Sequence, residues 1–230
     1  LSNQKKPGLS IIIPVLNEVV ALVKAVDGID LLRRSGAEVI VVDGGSQDGT
    51  VALATELADR VLSTATGRAM QMNCGAKIAA GDYLLFLHAD TVMSDDAQSR
   101  LLVTIQKHPV WGRFDVRLSG HYSIFRVVEY FMNLRSRVTG IATGDQAIFV
   151  NRDVFHKLGG YPEIPLMEDI VLSTQLRRWD SPLCIASKII SDSRRWESNG
   201  VIRTIVLMWV LRFLFFVGVD ADKLASIYYR

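Results

Sequence analysis

Leu9-Ser-Ile-Ile-Ile-Pro-Val15 and Glu38-Val-Ile-Val-Val-Asp43 are two short, β-branched runs separated by one helix-length segment, and their spacing decides the fold. Each run is apolar almost throughout rather than alternating, which marks a strand buried on both faces. Between them Glu18 to Arg34 reads as a helix ending at Gly36. The rhythm continues downstream. Gly44-Gly-Ser-Gln-Asp-Gly49 is a tight turn, Thr50 to Ala58 a helix, Arg60 to Ser63 a short strand, and Gly67 to Ala80 a helix with Gly81 as its C-cap. Tyr83-Leu-Leu-Phe-Leu-His88 is a third buried strand, and Ser94 caps a helix that runs to Lys107 and stops before Pro109. Such alternation predicts a Rossmann-like, mostly parallel α/β sheet with right-handed crossovers and ligands at the carboxyl ends of its strands.

The second half is less regular. Trp111 to Ser119 alternates like an exposed strand, Tyr122 to Val138 is helical, Gln146 to Val150 is a strand and Glu168 to Trp179 a helix. No repeat or low-complexity linker interrupts the chain. The expected organisation is one domain over 1–230 with two lobes, about 9–108 and a smaller, mixed one over about 109–200, followed by an apolar helix at 201–219.

The composition narrows the function. Of 230 residues, 49% are hydrophobic, and 26 Lys and Arg against 24 Asp and Glu leave a net charge of +2, so a nucleic-acid partner is not expected. Cys74 and Cys184 are too few for a disulfide framework or a zinc site and fit buried thiols of a reducing compartment. Residues 1–8, LSNQKKPG, contain no apolar stretch, so no signal peptide is read there and a cytoplasmic location is expected.

A mean hydropathy of +0.23 traces in part to residues 201–219, VIRTIVLMWVLRFLFFVGV. Arg203 and Arg212 interrupt it short of the roughly 20 apolar residues a spanning helix needs. It reads as a core helix, a contact with a second copy, or a peripheral contact with a bilayer, the last fitting a lipid-linked acceptor. Nine residues apart, the two arginines fall on opposite sides of a helix, which implies a specific partner for one of them.

Acidic residues close three segments where an α/β sheet holds ligands: Asp43, Asp90, and Glu168-Asp169. Other nucleotide folds are excluded. Gly44 and Gly49 have the spacing of a phosphate loop, but Thr50 and Val51 replace its Lys and Ser/Thr, and no G-x-G-x-x-G or G-x-S-x-G is present. His88, His108, His121 and His156 lack metalloprotease spacing.

Ile11-Ile-Ile-Pro-Val-Leu-Asn-Glu18, Val41-Val-Asp-Gly-Gly-Ser-Gln-Asp-Gly-Thr50, Phe86-Leu-His-Ala-Asp90 and Met167-Glu-Asp169 occur in that order over most of the chain. The ordered set resembles the family 2 glycosyltransferases of the GT-A fold. Gly67-Arg-Ala-Met-Gln-Met-Asn-Cys-Gly75, Leu87-His-Ala-Asp-Thr91, Gly144-Asp-Gln146 and Arg195-Trp-Glu197 resemble a small bacterial subgroup with H-A-D in place of the D-x-D motif. The resemblance implies a nucleotide-sugar donor, with Pro14, Leu16 and Glu18 walling the nucleoside and Asp43 accepting a hydrogen bond from the base, typically uracil. It implies Mn²⁺ or Mg²⁺ held by Asp90 against the diphosphate, with His88 a weaker ligand suited to Mn²⁺. Asp169 resembles the general base of inverting members. Asp145, Glu168, Arg195 and Trp196 fall on the acceptor or diphosphate side.

Two arginines stand outside those motifs. Relatives carry Arg where this chain has Met72; Arg68, one turn earlier on the same helix face, can supply that charge or remain at the surface. Arg135 sits at the centre of the apolar face of the 122–138 helix, opposite Arg126, Glu129, Asn133 and Arg137, which suits an acceptor or diphosphate contact or a buried ion pair. The expected function is inverting, metal-dependent glycosyl transfer; the alternative is a nucleotide-sugar-binding protein without efficient catalysis, since His88 and Val171 stand where acids are usual.

Overall fold

The apolar runs are the centre of a single eight-stranded sheet in a computed structural model that describes residues 8–229. The strands are β1 (Leu9–Val15), β2 (Glu38–Asp43), β3 (Arg60–Ser63), β4 (Tyr83–Phe86), β5 (Thr91–Met93), β6 (Trp111–Leu118), β7 (Phe149–Asn151) and β8 (Leu183–Ser191), in the order β3-β2-β1-β4-β7-β6-β8-β5. β1 is buried along its whole length because both faces are covered. Leu22, Val26 and Leu101, from α1 (Val19–Asp27) and α5 (Asp95–Ile105), pack on Ile11, Ile13, Val39 and Val41. On the other face Ala69, Met72 and Leu172, from α4 (Arg68–Ile78) and α8 (Glu168–Leu176), pack on Ile12, Ile40 and Val42.

The sheet is parallel in its first half and mixed in its second, as expected, with β6 and β8 parallel to each other. β1, β2, β3 and β4 are parallel, whereas β7 runs antiparallel to both β4 and β6, and β5 antiparallel to β8. The predicted 18–34 helix breaks at Gly28 into α1 and α2 (Asp30–Arg34); a Cβ on Gly28 would lie 2.8 Å from Val92 Cγ1. Gly81 is not a left-handed cap. α4 ends at Ile78 with Ala79 as its C-cap, and Gly81 lets the backbone close on β1, where a Cβ would meet Ser10 N at 2.6 Å. The predicted 146–150 strand starts later, because Gly144–Gln146 form a 3-10 turn closed by reciprocal bonds between Thr143 and Gln146.

β6 is buried at seven of its eight positions, not exposed on alternate ones. Its polar members are neutralised in place: Arg113 pairs with Asp115, and Arg137 reaches the same carboxylate at 2.6 Å. β7 pairs only with Trp111 and Gly112, so β6 beyond that point has β8 on one side and a helix on the other. That helix is α6 (Ser123–Thr139), and its side chains replace the missing strand. Asn133 accepts from Val116 N (2.9 Å) and donates to Val116 O (3.0 Å), Glu129 accepts from Leu118 N (2.8 Å), and Arg126 donates to Leu118 O (2.9 Å). The predicted polar face of this helix therefore points inward, and Val127, Phe131 and Val138 of its apolar face point outward.

Three further helices close the molecule beyond α3 (Thr50–Leu57), α7 (Arg152–Lys157) and α8: α9 (Arg194–Asn199), α10 (Val201–Phe216) and α11 (Ala221–Tyr228). Among the described residues no helix is long and apolar enough to cross a membrane.

Candidate active site

The carboxyl ends of β1 and β4 open into a cleft with two adjoining cavities of about 460 and 560 Å³. Glu18, Arg68, His88, Asp90, Arg195 and Tyr228 line both. Pro14, Leu16, Thr66 and Gly67 complete the first; Asp145, Arg194 and Trp196 belong to the second. Most of the residues singled out in the sequence are thus brought to one place by strand ends, as the sheet topology requires.

Charge is concentrated between the two cavities. His88 lies against Gly144, where an added Cβ would be 2.4 Å from its Cε1. Burial pushes the Asp145 carboxyl above the usual carboxylate range; His88 opposes this, while the negative charges of Asp90 and Asp169 add to it. Glu18 is also pushed up, first by burial, although Arg194 faces it at 3.6 Å. Among the described residues no three His, Cys, Asp or Glu side chains are spaced to hold a metal ion by themselves.

Asp169 opens the recess beyond, in the first turn of α8. Its Oδ2 accepts from Gly144 N at 2.8 Å and its Oδ1 from Ile170 N at 2.7 Å, so the carboxylate is fixed between the 3-10 turn and its own helix. Met167, immediately before α8, has φ 72°, and Asn17 and Ala147 are also left-handed without being glycine. Met167, which lines the recess, is held in that strained conformation by the surrounding fold. Glu168 is 4% exposed and pairs with Arg68 at 3.2 Å, which joins α4 to α8. Burial lifts the Glu168 carboxyl despite that partner, and works against the Arg68 charge, which Glu168 more than restores. Arg68 is therefore a cleft residue rather than a surface one.

Two predicted residues lie elsewhere. Asp43 is 3% exposed and does not line the cleft; its carboxylate accepts from Gly45 N (2.9 Å) and Ser46 N (3.1 Å) of its own turn. Arg135 forms no ion pair among the described residues, and its Nε and Nη2 are buried without a hydrogen-bond partner. Burial first, then the positive charge of Arg212, lowers it to about 10. Arg212 lies in the Asp169 recess, and the charges of Asp169 and Asp145 act on it. It is the arginine of the apolar segment for which a partner was expected, while Arg203 is exposed.

Sequence reasoning missed Tyr228, Tyr229 and Arg194. The Arg195 guanidinium stacks on the Tyr228 ring at 3.4 Å and donates to Tyr228 O at 2.8 Å, so α11 folds back to roof the cleft. An arginine and an aromatic 33 residues apart leave no periodic signal; only the aromatic pair at 228–229 was visible.

Residues 10–159 match the family described as Glycosyl transferase family 2. A PGL/p-HBAD biosynthesis glycosyltransferase of Mycobacterium bovis is 31% identical over 172 residues, 67% of this chain and 63% of that protein. A poly-beta-1,6-N-acetyl-D-glucosamine synthase of Staphylococcus epidermidis is 28% identical over 48% of this chain and 28% of its own. This chain thus spans less than two thirds of those relatives. Two solved structures share the fold: glucosyl-3-phosphoglycerate synthase from Mycobacterium tuberculosis in complex with Mn²⁺, UDP and phosphoglyceric acid (TM-score 0.63, 19% identity, 93% of this chain, 80% of that one), and a mannosyltransferase from Pyrobaculum calidifontis in complex with GDP-Man and Mn²⁺ (TM-score 0.61, 22% identity, 82% and 57%).

Proposed function

Because the chain belongs to glycosyltransferase family 2, we propose that it transfers a sugar, with inversion, from a nucleotide diphosphate donor of the UDP type to an acceptor hydroxyl. The observation that carries this reading is the fixed Asp169 carboxylate beside a cleft whose two cavities share Arg68, His88 and Asp90. The nucleoside lies in the first cavity against Pro14 and Leu16. Asp43 serves it indirectly, by holding the turn that follows β2.

The donor set suits a divalent cation. Burial first, and then the negative charges of Asp90 and Asp169, disfavour ionisation of Asp145, and a cation would offset the charge part of that. Mg²⁺ and Mn²⁺ are commonly held by one or two carboxylates together with substrate phosphates, so three protein ligands are not required. Asp90 would hold the ion, with the His88 imidazole an added donor for Mn²⁺. Bound there, the ion would neutralise the departing diphosphate.

The chain's own residues do the rest. Asp169 takes the proton from the acceptor hydroxyl as its oxygen bonds to the anomeric carbon. The bond from that carbon to the diphosphate oxygen breaks with its electron pair, and Arg68, held by Glu168, faces the charge that leaves. Arg212, in the recess of Asp169, lies on the acceptor side.

A second reading, donor binding without efficient catalysis, is favoured by one observation: His88 stands where a first acid is usual and packs on Gly144. Thermal shifts with nucleoside diphosphates, with and without Mn²⁺, followed by a donor-turnover assay, separate the two. Release of UDP from a UDP-sugar supports transfer. Donor binding with no turnover across an acceptor panel supports the alternative.

A further inference from the structure

α6 and α10 pack on each other through Phe125, Val128 and Met132 against Val201 and Ile205, yet each turns an apolar face to solvent. α6 is inverted: Glu129 and Asn133 are spent on the unpaired edge of β6, which leaves Val127 (50% exposed), Phe131 (60%) and Val138 (77%) outside. α10 adds Trp209 (71%), Phe213 (65%) and Phe216 (87%). Scattered exposed apolar residues need no explanation, but two touching helices that expose apolar stripes do.

The charges choose the occupant. α10 contains no acidic residue, and the only one in α6, Glu129, is 2% exposed. The exposed charged side chains of the two helices are Arg137, which Asp115 neutralises, and Arg203, which has no ion-pair partner among the described residues. A symmetric contact with a second copy would offer Arg203 no acid from either helix. An anionic lipid surface supplies the opposite charge, and a ring such as Trp209 suits the boundary where apolar and wet regions meet. We propose that α6 and α10 lie together in the surface of an anionic bilayer, with their apolar stripes at the acyl boundary. The opposite side of α10 gives Met208, Leu211 and Arg212 to the recess that holds Asp169. Resting on the transferase reading, this names the acceptor class: a hydroxyl borne by a lipid.

The test is sedimentation of the chain with vesicles of phosphatidylcholine alone or mixed with phosphatidylglycerol, with light scattering of the protein alone. Binding is expected to the mixed vesicles and to weaken about tenfold or more in Phe131→Ser/Phe213→Ser, whose side chains are exposed and whose circular dichroism should be unchanged. Brominated lipid should quench the wild-type tryptophan emission, and Trp209→Phe should remove most of that quenching. Arg203→Glu should reduce the preference for anionic vesicles. Failure to sediment with either composition overturns the proposal. So does equal binding by wild type and the double variant, or a stable dimer that ignores vesicles and is split by the double variant. Asp169→Asn should bind vesicles as wild type does. Vesicle binding with transfer only to hydroxyls that no lipid bears overturns the acceptor class, whereas vesicle binding with no donor turnover at all removes the transferase reading instead.

Discussion

Asp169 is held by two backbone N–H groups rather than by a charged partner; Asn has the same shape but can accept from only one of them. Asp169→Asn is expected to leave UDP binding nearly unchanged and to lower transfer by at least about 10²-fold, the smaller end of the range for losing a general base. Single-turnover assays beside calorimetric UDP titrations check both halves; unchanged transfer would place the base elsewhere. Asp90→Ala is expected to keep metal-free UDP binding and to lose the increment that Mn²⁺ adds, measured by paired titrations with and without the metal. Asp90 and Asp169 were legible as members of short motifs at segment ends. Arg212 was legible only as an anomaly, a charge in an apolar run that implied a partner without naming one. Tyr228 carried no motif, because its role comes from α11 returning to Arg195.

At the level of elements, α6 shows what periodicity can and cannot tell. The spacing of Arg126, Glu129, Asn133 and Arg137 places them on one helix face, and they are on one face. It does not say which face meets water. That depends on β6, whose partner β7 stops at Gly112 and leaves Val116 and Leu118 to be satisfied by side chains. Asn133→Leu would bury the Val116 N–H and C=O without partners, a loss of about 2–6 kcal/mol at the usual cost of each orphaned group. Thermal unfolding should show this as a fall of about 2–4 °C per kcal/mol, while Val138→Ser, on the outer face, should melt near wild type. Equal melting of the two variants would refute the edge-capping role.

For the whole molecule, the strand-helix alternation of residues 9–86 was readable because each strand there is a local apolar run between turns. β8 and β5 were not, since β5 is three residues long and β8 alternates between buried and exposed positions. Reading the chain as two lobes hides a dependency between them. Thr91, next to Asp90, pairs with Ser191, a hundred residues downstream, and β5 pairs with no other strand. A fragment covering 1–108, although it contains Pro14, Asp43, Arg68 and Asp90, should therefore show no Mn²⁺-enhanced UDP binding, and a thermal-shift assay of the fragment beside the whole chain tests this. The dependency also sets an order in time. On the ribosome Asp90 is made early, but the strand that anchors its neighbour emerges only after a hundred more residues. The nascent chain can assemble its first four parallel strands while the strand beside Asp90 still waits for its partner, so donor-binding competence should appear late in synthesis and abruptly.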